Sequence, residues 1–344
     1  MSALAVLWYF LIFLLIAGYF VLDGFDLGVG TLFPFLCKSE EDKAIARRSI
    51  GPVWDGNEVW LLTAGGALFA AFPDAYATTF SGFYLAIMLV LFALIVRAVS
   101  FEFHAGDVKW RKLWDACFFV GSALPALLFG VAVGNIVAGI PMDAQGNYIG
   151  VPLLGLITPF TLLTGLLGLA VFVSAGACWL ALKAPLDSDL RARALKVKAP
   201  MQWVVVGLFV LTTVCMAVMY GGFIAWSGDL FVIRMMLAAL FVACMFAAIV
   251  VGRMDSQRSD LVAFVAQSGA AATLVFLVAF SMFPNLVNAS PDSVGGAITL
   301  MSAGASELSL FCMTVILCIG LPLVLVYHVL IYRTFRGRVA LEAH

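Results

Sequence analysis

The sequence predicts an all-α integral membrane protein with nine transmembrane helices. Of its 344 residues, 64% are hydrophobic and only 11% charged, where soluble domains carry about a quarter charged residues. Mean hydropathy is +1.09. The apolar residues gather into nine long segments, and the basic residues gather in the loops on one side of them.

In order, the segments are 4–35, 56–73, 76–102, 114–140, 156–182, 200–223, 232–252, 260–283 and 306–332. Each span needs roughly 20 apolar residues to cross a ~30 Å core. The first would measure roughly 48 Å if wholly helical, so it is expected to tilt, or to end in a turn through Gly24, Gly28 and Gly30. No Lys or Arg precedes Lys38. The basic region and cleavage site of a signal peptide are not clear, so this segment is expected to stay as a helix. The second segment is short, contains Gly65 and Gly66 and stops at Pro73; by itself it fits an interfacial helix as well as a span. Charge placement separates the two. With nine spans and the N-terminus outside, all but Arg97 and Arg234 of the 19 Lys and Arg residues fall in inner loops or the C-terminal tail. Dropping the second span would put the basic loops near residues 43 and 110 on opposite faces, against the positive-inside rule. Asp74, Asp143, Asp229 and Asp292 mark the outer loops. The loop 183–199 is the most basic and the expected boundary between two bundles. No internal repeat is visible, although four helices on either side of a central one would suit a duplicated bundle.

A net charge of −1 and the lack of a basic patch interleaved with aromatics set nucleic-acid binding aside. The seven cysteines are odd in number, mostly within apolar runs and without a C-x-x-C pair. They read as small core residues.

Charged groups at membrane depth cost at least about 2.5 kcal/mol each on insertion scales, so they are the functional candidates. Asp23 and Asp26 stand three apart, which on a helix puts both carboxylates on one face. Gly24 and Gly28 beside them form a G-x-x-x-G that lets another helix approach closely. A second cluster contains Trp54, Asp55, Asn57, Glu58 and Trp60, at the inner end of the second segment. Acids there can serve as caps that complement a helix N-terminus. They can also relay protons, Asp55 and Asp26 lying on adjacent inner helix ends, since carboxylates in a low-dielectric setting exchange protons near neutral pH. Both readings stand. A third group is Arg97, Glu102, His104 and Asp115, with Arg97 and Glu102 expected to pair. Glu307 is expected to cap the last helix.

Haem needs axial ligands such as His, Met or Cys. Of the histidines His104, His328 and His344, only His328 lies inside a span, and no two face each other. The 13 methionines read as lipid-phase packing. The chain does not look built to hold redox centres by itself, and no metal site is expected. P-loop, nucleophile-elbow and H-E-x-x-H motifs are absent.

Three stretches, VLDGFDLGVG (21–30), PVWDGNEVWLLTAGGALFAAFP (52–73) and FSGFY (80–84), resemble the N-terminal signature of subunit II of the cytochrome bd-type quinol oxidases, a family that includes the cyanide-insensitive oxidases. Beyond residue 140 the resemblance rests on helix spacing, on the Arg253–Asp255 turn and on Phe283–Asn285. It implies an enzyme of the bacterial inner membrane that oxidises membrane quinol and reduces dioxygen to water. Protons come from the cytoplasm, which builds proton motive force. Haem b and haem d, or haem b only, would be ligated by subunit I. The resemblance further implies two four-helix bundles plus one peripheral helix, divided here as 1–140, a peripheral fifth helix with its basic loop at 141–199, and 200–344. It matches Asp26 and Asp55 to the acids of a proton path. The resemblance also carries over Trp54, Asn57 and Arg97, and Asp23, Glu58 and Glu102 join them by placement. Expected partners are subunit I, membrane quinol and the lipid bilayer, with a small single-helix subunit as a further candidate. Some relatives hold a structural quinone in this subunit. The connection 223–231 is shorter than in some relatives and leaves that point open. A secondary transporter, with acids at Gly-interrupted helices, is the alternative from another class, and a purely structural scaffold is the third.

Overall fold

A computed structural model describes residues 2–104, 106, 109–220, 230–254 and 256–340. Asp229, Asp255, His344 and most of the 223–231 connection lie outside the described residues. The described helices are α1 (Ala3–Leu36), α2 (Glu40–Ile50), α3 (Trp54–Ala71), α4 (Pro73–Gly82), α5 (Tyr84–Phe103), α6 (Arg111–Ala138), α7 (Pro159–Lys183), α8 (Asp189–Met219), α9 (Phe231–Val251), α10 (Gln257–Met282), α11 (Leu300–Ala303) and α12 (Glu307–Thr334). A short antiparallel pair, β1 (Asn285–Val287) and β2 (Ile298–Thr299), precedes α11.

Eight of these helices are long and apolar enough to cross a membrane: α1, α5, α6, α7, α8, α9, α10 and α12. In lipid every backbone polar group must be satisfied internally, so an uninterrupted apolar run becomes a helix. With 18 residues α3 is about 27 Å long, at the short limit of a span. It runs antiparallel to α1. Asn57 bonds the Leu22 carbonyl, Trp60 packs where Gly18 has no side chain, and Ala71 clusters with Trp8.

The structure departs from the sequence reading in several places. The glycines do not break α1, which continues to Leu36 through Pro34. Gly24 and Gly28 face α7 instead, and Gly30 faces Ser122 and Phe118 of α6. A Cβ at Gly24 would stand 2.7 Å from the Phe172 ring, and one at Gly28 would strike the Phe172 carbonyl. The third segment is two helices, α4 and α5, joined at Phe83. Pro73 occupies the first turn of α4, where its missing N–H leaves no bond unmade. The stretch between the first two segments contains α2, started by a Ser39–Asp42 capping box that satisfies two orphan N–H groups. Much of the expected basic loop 183–199 is the first part of α8, capped by Ser188.

The fifth span was expected at the periphery, yet α7 is the most enclosed of the eight. Its apolar stretch is 78% buried, against 6% for α12. Small residues explain this. Gly165, Gly168, Ala170, Ser174, Ala175, Gly176 and Ala177 let α1, α6, α8 and α10 all pack on α7, as small-residue interfaces do in membranes. α12 carries Leu, Val and Ile on every side and keeps only Leu310 and His328 buried.

The basic loops converge on one end of the bundle. Lys43 and Arg47 pair with Asp115 at 2.8 and 3.1 Å. Arg193 reaches the Leu36 carbonyl and Asp42. Lys183 donates to the Phe335 carbonyl. At the same end the buried Asp260 carboxylate receives Arg191, Lys198 and Arg338, at 2.9, 3.4 and 3.3 Å. Arg338 also donates to the Ala181 and Ala184 carbonyls, where the C-terminus of α7 favours a cation. The opposite end is held by neutral contacts: Trp8 to the Leu310 carbonyl, Ala305 to Ala71, Thr78 to Gly146, and Met142 to Ser293.

Candidate functional site

The charged groups inside the bundle meet where α1, α3 and α5 adjoin. Asp23 and Asp26, one helical turn apart on α1, are both fully buried. From α5, Arg97 donates to the two oxygens of Asp23 at 2.6 and 3.4 Å and to Glu58 Oε1 of α3 at 3.1 Å. Such charge-assisted bonds are roughly twice as strong as neutral ones. The Glu58 side chain stays 26% exposed, so this carboxylate carries the cluster to the outer side of α3. Two carboxyl groups, those of Asp23 and Glu58, share one guanidinium, and the charge of the cluster changes with each proton it holds.

Asn57 ties Asp26 into this group. Its Nδ2 donates to Asp26 Oδ2 at 2.7 Å and to the Leu22 carbonyl at 3.0 Å. A backbone carbonyl only accepts, which sets the orientation of the amide. The other amide atom, Oδ1, accepts from the Tyr332 hydroxyl of α12 at 3.1 Å. Among the described residues Asp26 Oδ1 is buried with no hydrogen-bond partner. Trp60, one turn along α3 from Asn57, donates to His328 Nε2 at 3.1 Å. His328 Nδ1 lies 2.9 Å from the Val324 carbonyl and therefore carries the ring hydrogen.

The structure thus brings Asp23, Asp26, Asn57, Glu58 and Arg97 together and leaves other candidates apart. Asp55 is exposed on the first turn of α3, its carboxylate accepting from the Gly56 N–H. Residues two apart on a helix point to opposite sides, so turning Asn57 inward turns Asp55 outward. Glu102 does not pair with Arg97. It sits exposed in the last turn of α5, five residues on and off the Arg97 face. Trp54 packs on Phe101 with ring centres 5.6 Å apart. Nor does Glu307 cap α12; Ser306 does, accepting from the Ser309 N–H. Tyr332 and the Trp60–His328 pair were missed by sequence reasoning. A lone His and a Tyr one turn apart in an otherwise apolar helix were the available signal.

Among the described residues no group of His, Cys, Asp and Glu could hold a metal ion. His328 has both ring nitrogens engaged, and His104 sits at the basic end with Nε2 3.1 Å from Asp115. These side chains do not fit a haem. A separate cavity of about 960 Å³ opens among α1, α6, α7, α8 and α10. Its walls are largely apolar, Arg234, Asn285, Asn288 and Ser290 line it, and among the described residues no carboxylate does.

The sequence pattern of the family described as cytochrome bd terminal oxidase subunit II matches residues 4–335. The chain is 34% identical over 379 aligned positions to cytochrome bd-I ubiquinol oxidase subunit 2 of Escherichia coli strain K12, covering 99% of this chain and 96% of that one. It is 33% identical over 346 positions to cytochrome bd ubiquinol oxidase subunit 2 of Bacillus subtilis, covering 99% and 98%. The solved bd oxidase of Geobacillus thermodenitrificans shares the fold, with a TM-score of 0.75 at 16% identity over 97% of this chain and 99% of that one. With its whole length matched and its apolar helices in place, this multi-pass membrane chain belongs to the cytochrome bd terminal oxidase subunit II family.

Proposed function

We propose that the chain is the haem-free subunit of a quinol:oxygen oxidoreductase and carries protons from the cytoplasm toward a haem-bearing subunit I. One observation carries this reading: Asp26, fully buried, is joined through Asn57 to the α3 turn that holds Glu58, beside the Asp23–Arg97 pair. Buried ionisable groups inside a membrane protein mark ion and proton routes. Asp55, exposed at the start of α3, serves as the collecting acid on the cytoplasmic side, and Glu58 hands over toward the partner. The basic end faces the cytoplasm of a bacterial inner membrane. With α3 counted as a span, nine helices cross and the N-terminus is periplasmic.

The complex oxidises membrane quinol, reduces dioxygen to water and builds proton motive force by this uptake. Its haem b and haem d, or haem b alone, reside in subunit I. The apolar cavity suits the long tail of a structural quinone, with Asn285, Asn288 and Ser290 in its polar lining near the head. Among the described residues Asp23, Asp26 and Glu58 meet between α1 and α3 and do not line this cavity, which disfavours a transport site. A small single-helix subunit remains compatible with the exposed helix faces.

Copurification tests the assembly: the tagged chain, expressed with its genomic neighbours, brings down a haem-containing partner. If it brings down none, the reading fails. Asp26→Asn then slows oxygen consumption by about 100-fold, as loss of a positioned proton carrier does, while the haem spectrum persists. Asp55→Asn slows it less, because water reaches past an exposed collector. Unchanged turnover in both removes them from the path.

A further inference from the structure

α12 is the least packed of the apolar helices, and its polar contacts with the bundle fall at two levels. Trp8 donates to the Leu310 carbonyl and Thr314 far from the acidic cluster. At the cluster, Trp60 donates to His328 and Tyr332 donates to Asn57. His328 and Tyr332 are one turn apart and so share a face. Their rings are 6.5 Å apart and tilted by only 18°.

We propose that His328 and Tyr332 are positioning residues for Asp26, a proposal that rests on the proton-uptake reading above. Asn57 has two amide hydrogens to give and one oxygen to fill. Leu22 and Asp26 take the hydrogens, and Tyr332 fills the oxygen. Among the described residues Tyr332 is the donor to that oxygen. Without it Asn57 keeps a buried acceptor unsatisfied, and its grip on Asp26 Oδ2 loosens. Tyr332 stands there because His328, one turn back, hangs from Trp60. That bond needs the neutral ring with hydrogen on Nδ1, since an imidazolium has no acceptor to offer. The charged and titratable groups around Asp26 are Asp23, Arg97, Glu58 and Tyr332, and Tyr332 is the one from α12. The outcome is a carboxyl group with Oδ2 tied by Asn57 and Oδ1 unpartnered among the described residues, so one oxygen receives the proton.

The test measures quinol-driven oxygen consumption by the assembled complex over roughly pH 5.5 to 8.5, with haem absorbance reporting assembly. Tyr332→Phe and His328→Leu are expected to lower kcat by about three- to tenfold through displaced geometry. The KM for quinol stays the same, and the pH profile moves. His328→Gln, whose amide oxygen can accept from Trp60, recovers most of the turnover. Should His328→Leu lose the haem spectrum, Tyr332→Phe decides alone, since it removes a single oxygen atom. If these variants keep wild-type kcat and pH profile while Asp26→Asn is slow, only the positioning role is overturned. If Asp26→Asn is itself unimpaired, the proton reading falls first.

Discussion

Replacing Arg97 by methionine strands a buried carboxylate. Arg97 is 3% exposed and Asp23 0%, and the guanidinium bonds both Asp23 oxygens, the shorter at 2.6 Å. Methionine fills much of the same space without charge. Removing one partner of a buried pair costs about 3–5 kcal/mol, because the other is left uncompensated; replacing both by neutral groups of similar volume is often close to neutral. For 344 residues the entropy of unfolding is about 0.7 kcal/mol per kelvin at about 2.1 cal/mol/K per residue. The single variant Arg97→Met should therefore melt about 4–7 °C lower. The double variant Asp23→Asn, Arg97→Met should regain at least half of that. The assay is thermal melting of the purified complex in detergent, followed by tryptophan fluorescence, with the four members of the cycle compared side by side. Two results would refute the reasoning: Arg97→Met melting within about 1 °C of wild type, or a double variant as unstable as the sum of its singles.

Two further outcomes follow from packing and from the basic end. Gly28→Leu places a side chain against the Phe172 carbonyl and Gly176 of α7; overpacking of this kind costs about 1–3 kcal/mol or more. A reduced yield of intact complex on native gels is expected, and a normal yield would show that α1 and α7 can separate freely. At the end of α5, burial and then the neighbouring Arg47 charge hold the pKa of His104 below its ordinary value, about 6.5. Asp115 pulls the other way but is shared with Lys43 and Arg47. The unfolded chain therefore binds the proton first. The contribution to stability is complete above about pH 6.5 and is lost as pH falls through the folded value. Melting temperature should drop more steeply on acidification for wild type than for His104→Asn; parallel slopes would contradict this.

The sequence was enough to determine the solvent and the secondary structure. A run of apolar residues in lipid has to close its own backbone hydrogen bonds, so segments such as 114–140 and 156–182 reappear as α6 and α7 with small shifts at their ends. Capping residues gave α2, α8 and α10 their starts, although the charged stretches 38–48 and 183–199 read as loops. The stretches 21–30, 52–73 and 80–84 together also pointed to the family. What the sequence left open is rotation about each helix axis and contact across it, which lipid-facing apolar residues do not encode. Glu102 is close to Arg97 in sequence, yet Asp23 and Glu58, from two other helices, are the residues that meet it. Asp55 and Asn57 lie in one motif, but packing α3 on α1 turned the amide inward and the acid outward. The enclosure of α7 and the reach of Tyr332 to Asn57, 275 positions apart, were decided by tertiary structure alone. Small residues permit close approach on several sides at once, and only the assembled bundle selects which neighbours take it.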